Sequence, residues 1–237
     1  MKVSREDVLI SLEAARTAGD ALAVILDVVI ALGFEYCGYV LSLPLPLSSP
    51  RYEMVSNYPE AWKSRYREKD YIAADPSVRK ALWSTRPGLW TEELFAPTPQ
   101  LWREAQDAGL RHGWFQSCID KKGVVGIVTL ARGHAPISRM ELVAHDLQLR
   151  WLVQVAHQSL SKLLMAKLGI LEYPSLTERE VQVLRWTADG KTTGEISNIL
   201  AISENTVNFH IKNAVQKLQS SNKTAAVVRA AVLGLLH

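Results

Sequence analysis

Between Thr177 and Ser203 the chain carries three helix-start signals. Two are Thr-x-x-Glu boxes, "TERE" at 177–180 and "TTGE" at 192–195. In such a box the Thr hydroxyl and the Glu carboxylate satisfy two of the free N–H groups at a helix start. The third is Ser203, ahead of "ENTVNFHIKNAVQKL". Signals this close leave room only for short helices joined by tight turns, so this end is predicted to be all-helical. The run Gly190-Lys191-Thr192 lies inside it and resembles the close of a phosphate-binding loop. That loop needs another glycine five residues before Gly190, and position 185 is Arg. The glycine instead marks where one helix stops and the chain reverses.

A helix over 192–200, a turn at Ala201-Ile202 and a new start at Ser203 describe a helix-turn-helix, whose second helix enters the major groove of DNA. That second helix has an apolar side, Val207, Ile211, Ala214 and Leu218, and a polar side, Asn205, Asn208, Lys212 and Gln216. Amides and amines are the groups that read base edges. An ordinary amphipathic surface helix fits the same periodicity. Charge adds a little. Residues 175–237 hold seven Lys/Arg against five Asp/Glu, and no acid follows Glu204. An acid-free basic end suits a polyanion.

The stretch from Leu176 to Leu218 resembles the LuxR-type four-helix DNA-binding domain, through Glu180, Leu184, Gly190 and Thr206-Val207-x-x-His210. The resemblance implies base-facing Asn208 and Lys212, with Asn205 beside them. It also implies backbone contacts from Lys191, Thr206 and Lys217. Many relatives carry Lys or Arg where this chain has Asn208, which leaves the operator sequence open. The last helix, "TAAVVRAAVLGLLH", is expected to pair with its copy in a second subunit.

The preceding 170 residues have a different core. Of 18 aromatic residues, eleven lie between Tyr52 and Phe115 and three beyond residue 170. Helical spacing marks Ser4–Ala18 and Asp20–Leu32; strand formers mark 34–43, 50–56, 112–119 and 123–132. Short helices fall near 59–68, 76–84 and 99–109. A long helix starts at the box "SRME" (138–141) and runs to Leu168. "DKKGVV" reads as a hairpin turn. Helices on both sides of a mostly antiparallel sheet give an α/β/α sandwich, GAF/PAS-like, so the fold class is α+β with an all-α reader behind it. The expected boundaries are 1–168 for the first domain, 169–175 for a linker and 176–237 for the reader.

Tyr58, Trp62 and Tyr66 recur every four residues and are predicted to share a helix face. Such a stripe suits a plain core, or a pocket whose O–H and N–H tips hold a polar ligand group. Asp75, before Pro76, either caps a helix or accepts a bond from a bound amide. Here too the chain resembles the same regulators: Trp62, Tyr66, Asp75, Pro76, Trp90 and Gly113 match their N-acyl-homoserine lactone domain. "SNYPEAWKSRY" is especially similar to the QscR-like orphan receptors. The resemblance implies that Trp62 holds the lactone carbonyl, Asp75 the amide N–H and Tyr58 the amide carbonyl. Trp90 and Trp102 would wall the lactone ring, Tyr66 would pack on the acyl chain, and Thr129 would reach the amide. Gly38 replaces a Ser found in some relatives; it would leave room, lose a donor and loosen chain selectivity.

Other classes fit poorly. Cys37 and Cys118 have neither metal nor disulfide spacing. His112 and Cys118 lack a third catalytic group, and the other histidines are scattered, so neither enzyme nor metal protein is expected. No alternating βαβ order or acidic strand ends indicate a phosphorylated receiver domain. "ALAVILDVVIALGF" is too short to span a bilayer and holds Asp27. The expectation is a cytoplasmic homodimer that binds a small-molecule autoinducer and double-stranded DNA, with no cofactor and no membrane association. The alternative is a regulator that is constitutive or answers a non-lactone molecule.

Overall fold

Thr17 divides the first two helices. In this computed structural model, which describes residues 4–120, 122–170 and 174–236, α1 spans Arg5–Ala14 and α2 spans Ala18–Ala31. Thr17 Oγ1 accepts from Asp20 N at 3.1 Å, and Asp20 Oδ2 accepts from Thr17 N at 2.9 Å. Asp20 is therefore the third-residue partner of a capping box inside α2, not the residue at which the helix begins. The helix starts earlier than its apolar spacing indicates.

Two strands follow, β1 (Tyr36–Leu43) and β2 (Arg51–Ser56), and then α3 (Glu60–Glu68), α4 (Tyr71–Ala74) and α5 (Pro76–Trp83). Next come β3 (Gly88–Leu89), α6 (Glu92–Phe95), α7 (Pro99–Asp107), β4 (His112–Ile119), β5 (Val125–Arg132) and α8 (Arg139–Lys167). The sheet is fully antiparallel in the order β2-β1-β5-β4-β3. Gly38 stands opposite Thr129, and Thr129 opposite Phe115. The elements α4, β3 and α6 are too short to carry a periodic signal of their own.

Side chains alternate across the pleat. One face packs on α8, where Tyr39 Oη and His157 Nδ1 lie 2.8 Å apart. A Cβ on Gly126 would sit 2.2 Å from that ring nitrogen, so the glycine makes space for the pair. Arg132 ties the end of β5 to the start of α8 through Glu141, with bonds of 2.6 and 2.8 Å. The other face carries α5 on β4 and β5, and the aromatic residues gather there. The arrangement is the expected α/β/α sandwich.

The second unit holds α9 (Glu178–Ala188), α10 (Thr193–Leu200), α11 (Glu204–Lys217) and α12 (Lys223–Val232). Thr177 and Thr192 form capping boxes, and Ser203 Oγ accepts from Thr206 N. Gly190 ends α9 at φ 83°, and Ala201 takes the left-handed turn at φ 51° before Ser203. Apolar residues from all four helices meet in its core, among them Leu184, Ile196, Val207 and Ala226. By contact the chain divides at Gly169. Residues 171–173 of the expected linker lie outside the described residues.

Candidate functional site

The aromatic face of the sheet does not close into a solid core. It leaves a cavity between β1, β2, β5 and the helices α3, α5, α6 and α7. Apolar side chains form much of its wall: Val40, Met54, Val78, Phe95, Leu101 and Ala105. Its polar groups come from Tyr58, Trp62, Tyr66, Asp75, Ser77, Trp90 and Thr129. An apolar cavity with a few converging polar groups is what a small-molecule site requires.

Asp75 does two jobs. Its Oδ1 caps α5, accepting from Ser77 N at 2.8 Å, Ser77 Oγ at 2.6 Å and Val78 N at 3.4 Å. Its Oδ2 accepts from Tyr66 Oη at 2.9 Å. A carboxylate has about four acceptor sites, so Oδ2 keeps one for a donor in the cavity. Asp75 is only 7% exposed. Burial pushes its carboxyl up, against the bonds from Ser77 and Tyr66 that pull it down. Capping and ligand acceptance, alternatives in the sequence, are compatible in one side chain.

Tyr58 lies before α3, which begins at Glu60 after Pro59. It therefore does not share the helix stripe of Trp62 and Tyr66, whose rings meet edge-on at 5.7 Å. The Tyr58 ring instead lies over β1. A Cβ on Gly38 would stand 2.7 Å from its Oη and 2.9 Å from its Cζ. The room that Gly38 was expected to leave is filled by Tyr58. Burial pushes the Tyr58 phenol well up, with Cys37 and Asp75 adding to it, so it stays a donor.

Trp90 lies flat on β4. A Cβ on Gly113 would be 2.1 Å from Trp90 Cδ2, and Trp90 N donates to Gly113 O at 2.8 Å. The Trp90 indole N–H is buried without a hydrogen-bond partner among the described residues. It offers a donor as well as the wall that the resemblance implies. Trp102 departs from its expected place: it does not line the cavity but stacks on Phe95 at 4.7 Å. Phe95 is the lining residue, missed because a single aromatic on a four-residue helix has no periodicity.

Glu104 on α7 is the other residue that sequence did not single out. It accepts from Arg65 Nε and Nη2, each at 2.8 Å, from Tyr71 Oη at 3.0 Å and from Gln100 Nε2 at 2.9 Å. These bonds fasten α3 and α4 to α7 beside the cavity. Arg65 first, then Gln100, holds its carboxyl down at about 2.

On α11, Asn205, Asn208 and Lys212 are all exposed along one side. Thr206 is half-buried, its Oγ1 2.8 Å from Ser203 Oγ. Lys191 lies 3.9 Å from Glu195 across exposed surface. Lys217 departs most from a free phosphate contact. Its Nζ donates to Glu180 Oε2 at 2.8 Å, and Glu180 is only 3% exposed. Burial raises that carboxyl, but Lys217 and the Thr177 cap outweigh it, so it titrates below its ordinary value. Lys217 locks the end of α11 to α9.

Among the described residues no group of His, Cys, Asp and Glu could hold a metal, and no helix is long and apolar enough to cross a membrane. Residues 17–160 match the autoinducer binding domain, and residues 174–230 match the bacterial regulatory proteins of the luxR family. The chain is 37% identical to the transcriptional activator protein AnoR of Acinetobacter nosocomialis over 100% of both chains. It is 38% identical to the HTH-type quorum-sensing regulator RhlR of Pseudomonas aeruginosa, over 86% of this chain and 85% of that one. The structure of SdiA of Escherichia coli in complex with octanoyl-rac-glycerol superposes with a TM-score of 0.79 at 32% identity, covering 100% of this chain and 99% of that one. The chain is therefore a member of the LuxR family of transcriptional regulators, a non-enzymatic family, with an autoinducer-binding domain ahead of its DNA-binding helix-turn-helix.

Proposed function

We propose that the autoinducer is an N-acyl-homoserine lactone held in the cavity over Gly38. The observation that carries this reading is one buried acceptor, Asp75 Oδ2, facing the same apolar cavity as the donors of Tyr58 and Trp62. Asp75 with Tyr58 and Trp62 matches one amide N–H and two carbonyls, and the Trp90 indole N–H is a further donor beside them. Asp75 takes the amide N–H, Tyr58 the amide carbonyl and Trp62 the lactone carbonyl. Thr129 adjoins the amide, Trp90 covers the ring, and the acyl chain lies along Tyr66 and the apolar wall. A ligand lacking one of these groups leaves a buried partner unpaired, at a cost of about 1–3 kcal/mol.

The ligand-binding unit is read as residues 1–168, the linker as 169–175 and the DNA reader as 176–237, acting in the cytoplasm as a homodimer. Exposed Met140, Val143 and Leu147 on α8, and Val228 on α12, suit burial against a second copy. Two recognition helices about 34 Å apart then read an inverted repeat, and joining two weak half-sites raises affinity with no new contact type. Asn205, Asn208 and Lys212 face base edges, while Lys191 and Thr206 lie toward the backbone. Ligand binding stabilises the folded sensor by mass action.

A second reading has its own support. SdiA binds octanoyl-rac-glycerol, which has no amide. A glycerol hydroxyl can donate to Asp75 and its ester carbonyl can accept from Tyr58. The deciding experiment is mass spectrometry of small molecules retained by protein made with a lactone panel, with octanoyl-rac-glycerol, or with neither. A retained lactone with higher soluble yield establishes the first reading and names the chain. Retention of the glycerol ester alone establishes the second, and soluble DNA-binding protein with an empty cavity makes the regulator constitutive.

A further inference from the structure

Phe209 does not belong to the core of the DNA-binding unit. It is 59% exposed, although a phenylalanine on a short helix has a buried face within reach. The buried residues Val207, Ala214 and Leu218 define the inner side of α11. Positions 205, 208, 209 and 212 follow the i, i+3, i+4, i+7 spacing of a single helix face. Phe209 is thus set among Asn205, Asn208 and Lys212, in the middle of the outward stripe. Its ring is steadied edge-on against His210, with centroids 5.6 Å apart and planes at 68°.

The neighbours on this stripe all hydrogen-bond; Phe209 cannot. The major groove offers one apolar group on a base edge, the thymine C5 methyl. We propose that Phe209 is a specificity residue that packs on a thymine methyl in each half-site, beside the base pairs read by Asn208 and Lys212. The inference rests on α11 being the groove-reading helix, as proposed above. It also accounts for a reading face with so little charge. Part of its discrimination comes from shape and apolar contact, which carry no salt dependence, while phosphate contacts elsewhere set the salt slope.

The test uses full-length protein produced with the lactone panel, and Phe209→Ala in parallel. Each is challenged with a duplex library randomised over about two helical turns. The wild type is expected to enrich duplexes with a fixed thymine in each half-site. Replacing that thymine by deoxyuridine removes only the methyl and should weaken binding about fourfold per half-site, the equivalent of about 0.8 kcal/mol. Phe209→Ala should lose both the thymine preference and the deoxyuridine effect while keeping its salt slope, which shows that the variant is folded and bound. A wild type indifferent to deoxyuridine at every thymine of its enriched duplexes overturns the proposal. So does a Phe209→Ala protein that keeps the wild-type sensitivity, which would assign the exposed ring to a protein partner. If no duplex is enriched at all, the groove-reading assignment of α11 fails first and Phe209 loses its role with it.

Discussion

The DNA reader and the ligand cavity are held together in different ways. Each helix of the reader is started by a residue three positions from its partner: Thr177 with Glu180, Thr192 with Glu195, Ser203 with Thr206, and Asn222 with Ala225. The cavity is closed by residues far apart in the chain, with Tyr58 over Gly38, Trp90 on Gly113 and Glu104 gripping Arg65. The reader's boundaries are therefore local properties, and the cavity is a property of the assembled sheet. Substitutions should follow the same division. Changes in the cavity ought to be felt at several elements at once, and changes in the reader at one joint.

The largest effect is expected at Asp75, where both kinds of contact meet. Asp75→Ala removes the α5 cap, worth about 1 kcal/mol of stability without ligand. It also removes a charged acceptor for the ligand, worth about 2–3 kcal/mol of ligand-linked stabilisation. Thermal melts with and without a retained lactone separate the two losses. A ligand-induced shift equal to that of the wild type would take Asp75 out of the site and leave it a cap alone.

Gly113→Ala comes next. The new Cβ meets the Trp90 indole at 2.1 Å, and the indole has the sheet beneath it, so ring or strand must move. Overpacking of this kind costs about 1–3 kcal/mol, read as a lower urea midpoint with an unchanged slope. Trp90 fluorescence should change with it. A variant as stable as wild type, with its emission unaltered, would mean that the indole does not lie on β4.

Legibility followed the same line. The caps, the turn at Ala201 and the polar stripe of α11 could be read because each signal spans a few residues. Trp62, Tyr66 and Asp75 were legible through a resemblance, and their spacing alone left core and pocket undecided. What could not be read was who meets whom across the sheet. Nothing local places the Tyr58 ring on Gly38, exchanges Trp102 for Phe95 at the cavity wall, or directs Lys217 to Glu180. These depend on register and on helices docking at a distance, information that a window of residues does not hold. Thr17 is the exception, a local signal passed over because the apolar run of α2 is strong enough to draw the boundary past it.

Lys217→Ala sharpens the comparison from the reader's side. Removing the amine leaves Glu180 buried with only its capping bonds. Breaking a fully buried pair costs about 3–5 kcal/mol; Lys217 is 39% exposed, so water reaches the pair and about 1–2 kcal/mol is expected. The loss should appear as lower stability of the DNA-binding unit. If stability is unchanged and only the salt slope of DNA binding falls by about one, Lys217 is a phosphate contact after all.

The smallest effect is electrostatic and belongs to the cavity wall. Glu104 has its carboxyl held down at about 2 by Arg65, Gln100 and Tyr71, against an ordinary 4.5 in the unfolded chain. A depressed folded-state value means that the unfolded chain takes up the proton first as the pH falls. The stabilisation is complete above pH 4.5 and is lost progressively down to about pH 2. Both partners are partly open to solvent, with the Arg65 side chain 40% and that of Glu104 24% exposed, so water screens the pair and the term is small. Glu104→Gln keeps a planar acceptor and removes the charge. It should lower stability slightly at neutral pH and flatten the acid limb of the stability curve between those two values. Because Glu104 fastens α3 and α4 to α7, the same variant should release ligand faster at neutral pH and match wild type near pH 2. Equal acid limbs for the two proteins would show that Arg65 is held by geometry alone, and that this wall of the cavity is as locally determined as a helix of the reader.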